Sequence, residues 1–131
     1  MKREFNLTCE SASLTCFREE LRTLLSEVEL SERKSGDVIL AMDEVLANIS
    51  RHGYENGGGR IEVIFEDHGS TIEILIRDYG KKFDPTQAPE PELPPQKPGG
   101  LGIYFIKTVM DKVRYQPGPS GENQLHLTKH K

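Results

Sequence analysis

The chain has 131 residues, enough for one ordinary domain with a modest core. Its formal net charge of -4 argues against a general nucleic-acid binder, which would show a basic patch. Nothing approaches the ~18 apolar residues of a membrane span, and Met1-Lys2-Arg3-Glu4-Phe5 has no apolar stretch behind it, as a secretory signal would need.

Residues 3–9 alternate at period two and predict a strand. Ser11 or Ser13 can cap the helix that follows, whose apolar positions Leu14, Phe17, Leu21, Leu24, Leu25 and Val28 repeat at helical spacing. Its charged side, with Arg18 and Arg22, is a candidate partner surface. Cys9 and Cys16 lack nearby partner ligands and read as reduced thiols of a cytoplasmic protein rather than a metal site. Ser31 or Ser35 can start a second helix, running to about Arg51, with Val38, Met42, Val45 and Ile49 as its apolar stripe.

Ile61–Glu66 and Thr71–Arg77 flank the turn Asp67-His68-Gly69-Ser70 and predict an antiparallel hairpin. Lys81 to Pro98 holds six of the eight prolines and little periodicity, and reads as a lid, a binding loop or a disordered segment. Gly99-Gly100-Leu101-Gly102 then opens a helix to about Asp111, with Ile103, Ile106 and Met110 inward. Val113–Gln116 and Gln124–Thr128 read as the last two strands. Helices clustered with strands, without regular alternation, predict one α+β domain over 1–131: a mostly antiparallel sheet with helices on one face.

Three stretches have the chemistry of a site. At about 100° per residue, Glu44, Asn48 and Arg51 share one face of the second helix, at the edge of its apolar stripe. A carboxylate there can take a proton from a hydroxyl, and an amide oxygen suits Mg²⁺, which arrives with phosphates. A solvated helix face explains the same spacing. Next, the apolar strand Ile74-Leu75-Ile76 ends in Arg77-Asp78-Tyr79-Gly80. The acid can accept from an exocyclic amine, and the glycine admits a flat ring close to the backbone. A plain turn accounts equally for this stretch taken alone. Last, glycines opening a helix offer free N–H groups to phosphate, although such turns are also common punctuation. The pattern is neither a Walker motif nor a Rossmann fingerprint.

In this order, Glu-x-x-x-Asn on a helix, Asp-x-Gly at a strand end, a proline-rich segment and Gly-Gly-Leu-Gly, the chain resembles the GHKL ATPase superfamily over nearly its whole length. Asp43 to Tyr54, Asp78 to Pro85 and Gly99 to Val113 are similar to the anti-sigma-factor serine kinases of the RsbW/SpoIIAB type. The resemblance implies a two-layer ATP-binding fold with a lid over about 81–100, and ATP and Mg²⁺ as cofactors. By matching positions, Glu44 takes the place of the general base and Asn48 that of the Mg²⁺ ligand. Asp78 and Gly80 match the adenine-binding acid and glycine, and Gly100 and Gly102 the lid-hinge glycines. Arg51 and His52 would lie near ribose or phosphates, and Asn123 near the adenine. Lys97-Pro98 stands where several relatives have an arginine, so Lys97 would neutralise phosphate without the planar fork. Lys82 replaces a frequent glycine. The implied activity is phosphorylation of a serine or threonine on a STAS-like anti-sigma-factor antagonist. The implied partners are that antagonist and a sigma factor; the resemblance also allows a homodimer. The alternative is a nucleotide-switched binding module with little phosphotransfer.

Overall fold

A computed structural model of the protein describes residues 1–54, 59–87 and 101–131. The elements run β1 (Lys2–Thr8), α1 (Ser11–Glu27), α2 (Glu32–Asn48), β2 (Arg60–Asp67), β3 (Thr71–Asp78), α3 (Leu101–Val109), β4 (Lys112–Pro117) and β5 (Asn123–His130). One five-stranded sheet has the order β1-β2-β3-β5-β4, and every neighbouring pair is antiparallel. This is the expected α+β architecture.

The period-two pattern decides which face of the sheet is covered. Ile61, Val63 and Phe65 of β2, Ile72, Ile74 and Ile76 of β3, and Leu125 and Leu127 of β5 are all buried. They meet Phe17, Leu21, Leu24 and Leu25 of α1 and Val38, Met42 and Val45 of α2 in a single cluster. Burying each such side chain is worth about 1.5–3 kcal/mol, so this one face supplies most of the driving force for folding. Two tight turns set the register. Gly69 has a φ of 88°, and Asp67 Oδ1 accepts its N–H at 3.0 Å, closing the β2–β3 hairpin. Gly121, at φ 85°, does the same between β4 and β5.

The helix starts are only partly those expected. Ser31 caps α2, its side chain accepting from the Lys34 N–H at 3.3 Å. For α1 the N-cap is Glu10, without a side-chain cap bond. Ser13 Oγ instead accepts from the Thr8 N–H at 3.0 Å, tying β1 to the helix start. Sequence reading placed one helix up to Arg51. The α-helix ends at Asn48, and Ile49–Gly53 form a wider π turn. A π turn changes the angular spacing of side chains and is common at functional sites.

Candidate functional site

The end of α2, the ends of β3 and β5, and the strap Lys81–Pro85 enclose a cleft of about 450 Å³, open mouth included. Its walls are mostly apolar (Val45, Ile49, Ile106, Leu125), and its polar groups are few: Asn48, His52, Asp78, Lys81, Tyr115 and Asn123. The geometry therefore unites Asn48, His52, Asp78 and Asn123, four of the residues singled out from the sequence.

Asp78 is the last residue of β3 and pairs directly with Asn123, the first of β5. The strand alternation that buries Ile74 and Ile76 also turns Asp78 inward, leaving it 7% exposed. Its Oδ1 accepts from the Gly80 N–H at 3.1 Å and from Asn123 Nδ2 at 3.0 Å. Among the described residues, none donates to Oδ2. Burial pushes the Asp78 carboxyl above the ordinary carboxylate range, against the lowering effect of the Asn123 and Gly80 hydrogen bonds. A buried acid with one oxygen held and the other open is suited to accept an amine or amide N–H.

Asn123 is filled from within the protein. Its Oδ1 accepts from Tyr115 Oη at 2.6 Å and from the Phe83 N–H at 3.4 Å. Its Nδ2 donates to Asp78 and, at 3.1 Å, to the Lys81 carbonyl. Two acceptor sites and two N–H groups are thus all engaged. The sequence reading puts Asn123 near the adenine; the structure places it beside Asp78, with its hydrogen bonds going to protein groups.

The glycine at 80 has a specific steric reason. A Cβ there would stand 2.3 Å from the Gly53 carbonyl oxygen, and Lys81 N donates to that same oxygen at 2.7 Å. The π turn thereby docks its last residue on the strand end, and Gly53 brings the helix wall against the Asp78 carboxylate. Neither Gly53 nor this contact was legible in the sequence.

On α2, Asn48 is buried and Glu44, one turn earlier, is half-buried. Arg51 is exposed, and its Nη2 turns back to donate to Asn48 Oδ1 at 3.0 Å. Glu44 lies outside the apolar part of the cleft, against the start of α3: a Cβ on Gly102 would be 2.3 Å from Glu44 Oε2. Gly102 thus leaves room for the carboxylate. Lys97 and Gly100 lie outside the described residues. So does most of the expected lid, 88–100.

The first part of that segment is not structureless. Asp84 Oδ1 accepts from the Thr86 N–H at 2.9 Å and from Thr86 Oγ1 at 2.6 Å, opening a 3₁₀ turn over Pro85–Gln87. Lys107 Nζ donates to the Thr86 carbonyl at 3.0 Å, tying the turn to α3. The ring of Phe83 stacks on His52 with centroids 5.1 Å apart and an interplanar angle of 27°. Sequence reading missed Phe83 and Tyr115. A tyrosine in a strand of otherwise polar alternation was the available signal, since a half-buried hydroxyl usually has a partner. Arg18 is likewise not free on its surface: its Nε donates to Asp43 Oδ2 at 3.1 Å.

Among the described residues there is no cluster of three or more His, Cys, Asp or Glu side chains that could hold a metal. A cation here would rest on Asn48 Oδ1 together with ligand and water oxygens. That donor set fits Mg²⁺, which keeps several waters and is bound along with phosphates, and does not fit zinc. Nor is any described helix long and apolar enough to cross a membrane.

A family model described as a histidine kinase-like ATPase domain matches residues 7–129. An anti-sigma F factor from Bacillus licheniformis is 27% identical over an alignment of 140 residues, covering 99% of this chain and 94% of the relative. An anti-sigma F factor from Clostridium acetobutylicum is 26% identical over 122 residues, covering 88% and 83%. Among solved structures, the RsbU and RsbW domains of a Mycobacterium tuberculosis protein match with a TM-score of 0.72 at 19% identity over 99% of this chain. This chain spans 32% of that one. The histidine kinase domain of a blue-light-activated kinase from Erythrobacter litoralis matches with a TM-score of 0.58 at 12% identity, over 91% of this chain and 59% of that one. At these identities the two structures speak for the fold alone.

Proposed function

The chain belongs to the histidine kinase-like ATPase family, and on that premise we propose that it is a cytoplasmic, ATP-binding anti-sigma factor that phosphorylates a serine or threonine of its antagonist. The observation that carries the nucleotide part is Asp78, buried at the floor of the cleft with Oδ1 held and Oδ2 open. An adenine amine donating to Oδ2 satisfies both groups, and the apolar walls take the ring. The similarity to two anti-sigma F factors over most of both chains supports the regulatory part.

In this reading the phosphates run from the cleft toward Asn48 and the start of α3. Asn48 Oδ1 would hold Mg²⁺, which neutralises phosphate charge when bound; Arg51 shares that oxygen and gives way or joins the phosphates. Lys97, Gly100 and Gly102 would serve the phosphate end, with 81–100 as the lid. Glu44, next to Gly102, takes the proton of the incoming hydroxyl as that oxygen bonds to the γ-phosphorus and the bond to ADP breaks. Catalysis is then mainly positioning and charge neutralisation.

The test is incubation of the purified chain with labelled ATP, Mg²⁺ and a STAS-like antagonist. Label on a serine or threonine of the antagonist, lost with Glu44→Gln, is the expected result. Nucleotide binding and partner capture with no transfer would replace the kinase by a nucleotide-switched binding module.

A further inference from the structure

We infer that Tyr115 is a positioning residue for adenine recognition, acting through Asn123 to aim the Asp78 carboxylate at the ligand. The inference rests on the adenine reading of Asp78 and extends it to a residue on another strand.

Three of the four partners of the Asn123 amide have fixed roles. The Phe83 N–H can only donate, and the Lys81 carbonyl and Asp78 carboxylate only accept. They agree on one orientation, with Oδ1 toward β4 and Nδ2 toward Asp78. The Phe83 bond is long, at 3.4 Å, whereas Tyr115 Oη approaches Oδ1 to 2.6 Å. The tyrosine hydroxyl therefore supplies the main donor that holds the amide in place. It lies on β4, where Tyr115 pairs with Leu125 and its half-buried ring lines the cleft. The amide in turn holds Asp78 Oδ1 jointly with the Gly80 N–H. With Oδ1 fixed twice, the carboxylate that lines the cleft is held, and Oδ2, to which no described residue donates, is left for a ligand. Without the hydroxyl, Oδ1 of Asn123 keeps only the long Phe83 bond, the amide is anchored mainly from its Nδ2 side, and its hold on Asp78 Oδ1 loosens.

A chain of this kind predicts a loss confined to the part of the ligand that Asp78 reads. The probe pair is ATP and purine riboside triphosphate, which differs by lacking the exocyclic amine. Wild-type protein should bind ATP at least ~10-fold more tightly than the analogue, the order expected for one hydrogen bond to a charged group. Tyr115→Phe keeps the ring and removes the hydroxyl. It should narrow that ratio ~3–10-fold by weakening ATP, and leave analogue affinity unchanged. In the Asn123→Ala background, where the intermediary is gone, Tyr115→Phe should add nothing. Thermal melts of all variants check that each is folded, and the Asn123→Ala pair serves if Tyr115→Phe alone is not. A wild-type ratio retained by Tyr115→Phe overturns the inference. So does an equal loss for both ligands, or a further loss on top of Asn123→Ala. A wild-type protein that binds both ligands equally would instead overturn the adenine reading of Asp78.

Discussion

Gly80 sits directly against Gly53: a Cβ at position 80 would stand 2.3 Å from the Gly53 carbonyl oxygen and 2.8 Å from its Cα. Both atoms belong to backbone, so no side chain can move aside. Gly80→Ala should therefore push the π turn off the end of β3. The expected cost is about 1–3 kcal/mol, as for overpacking elsewhere, read as a lower urea midpoint. ATP affinity should fall with it, because the turn forms one wall of the cleft. An unchanged midpoint would show that the two backbones separate freely.

The buried Asp78 links function to stability. Its folded pKa is raised above the unfolded value by burial, so between those two values the native state holds a proton that the unfolded state releases. Its contribution to stability therefore falls as pH rises from the unfolded pKa through the folded one. Asp78→Asn keeps an oxygen for the Gly80 and Asn123 donors and removes the charge. It should raise the melting temperature at pH 7, by about 3–5 °C for each kcal/mol gained in a domain of this size. The gain should be smaller in melts at pH 4, closer to where wild-type Asp78 takes up its own proton. The same variant should bind ATP and ADP more weakly, and by similar factors, since both have adenine. Calorimetric titration and melts at both pH values check the pair of effects.

Glu44 and Gly102 should fail together. Glu44→Gln is expected to keep nucleotide binding and lose ~10²–10⁴-fold in phosphotransfer, the usual range for a general base. Gly102→Ala places a methyl 2.3 Å from Glu44 Oε2, which is the end of a flexible side chain. The fold should survive and the carboxylate should be displaced. Phosphotransfer by Gly102→Ala should fall toward that of Glu44→Gln, and the double variant should be no worse than Glu44→Gln alone. Independent, multiplying losses would separate the two residues.

Asn48 should behave differently from Glu44. Asn48→Ala removes the oxygen assigned to Mg²⁺ and leaves Arg51 without its partner at 3.0 Å. Mg-ATP affinity should drop, and whatever binding remains should no longer depend on Mg²⁺. Affinity measured with and without Mg²⁺ decides the matter; a persisting magnesium effect would move the metal away from Asn48.

Local pattern sufficed for much of this protein. The helical stripe of Leu14, Phe17, Leu21, Leu24 and Leu25 and the alternation in Ile72, Ile74 and Ile76 each follow from a period that a core imposes on its own element. The turn at Asp67–Ser70 was legible because its residues answer to their own backbone. Glu44, Asn48 and Asp78 stood out because each is a polar residue at the edge of an apolar pattern. Only the tertiary structure could decide the rest. The α2 ladder gives way at Asn48 to a π turn whose last residue, Gly53, docks on Gly80, a contact between segments far apart in the chain. Tyr115 meets Asn123 because the antiparallel β4–β5 register brings them together, and Phe83 meets His52 because the strap crosses the cleft. Partners across elements leave no periodic trace in either stretch, since the geometry that joins them exists only after the sheet has formed.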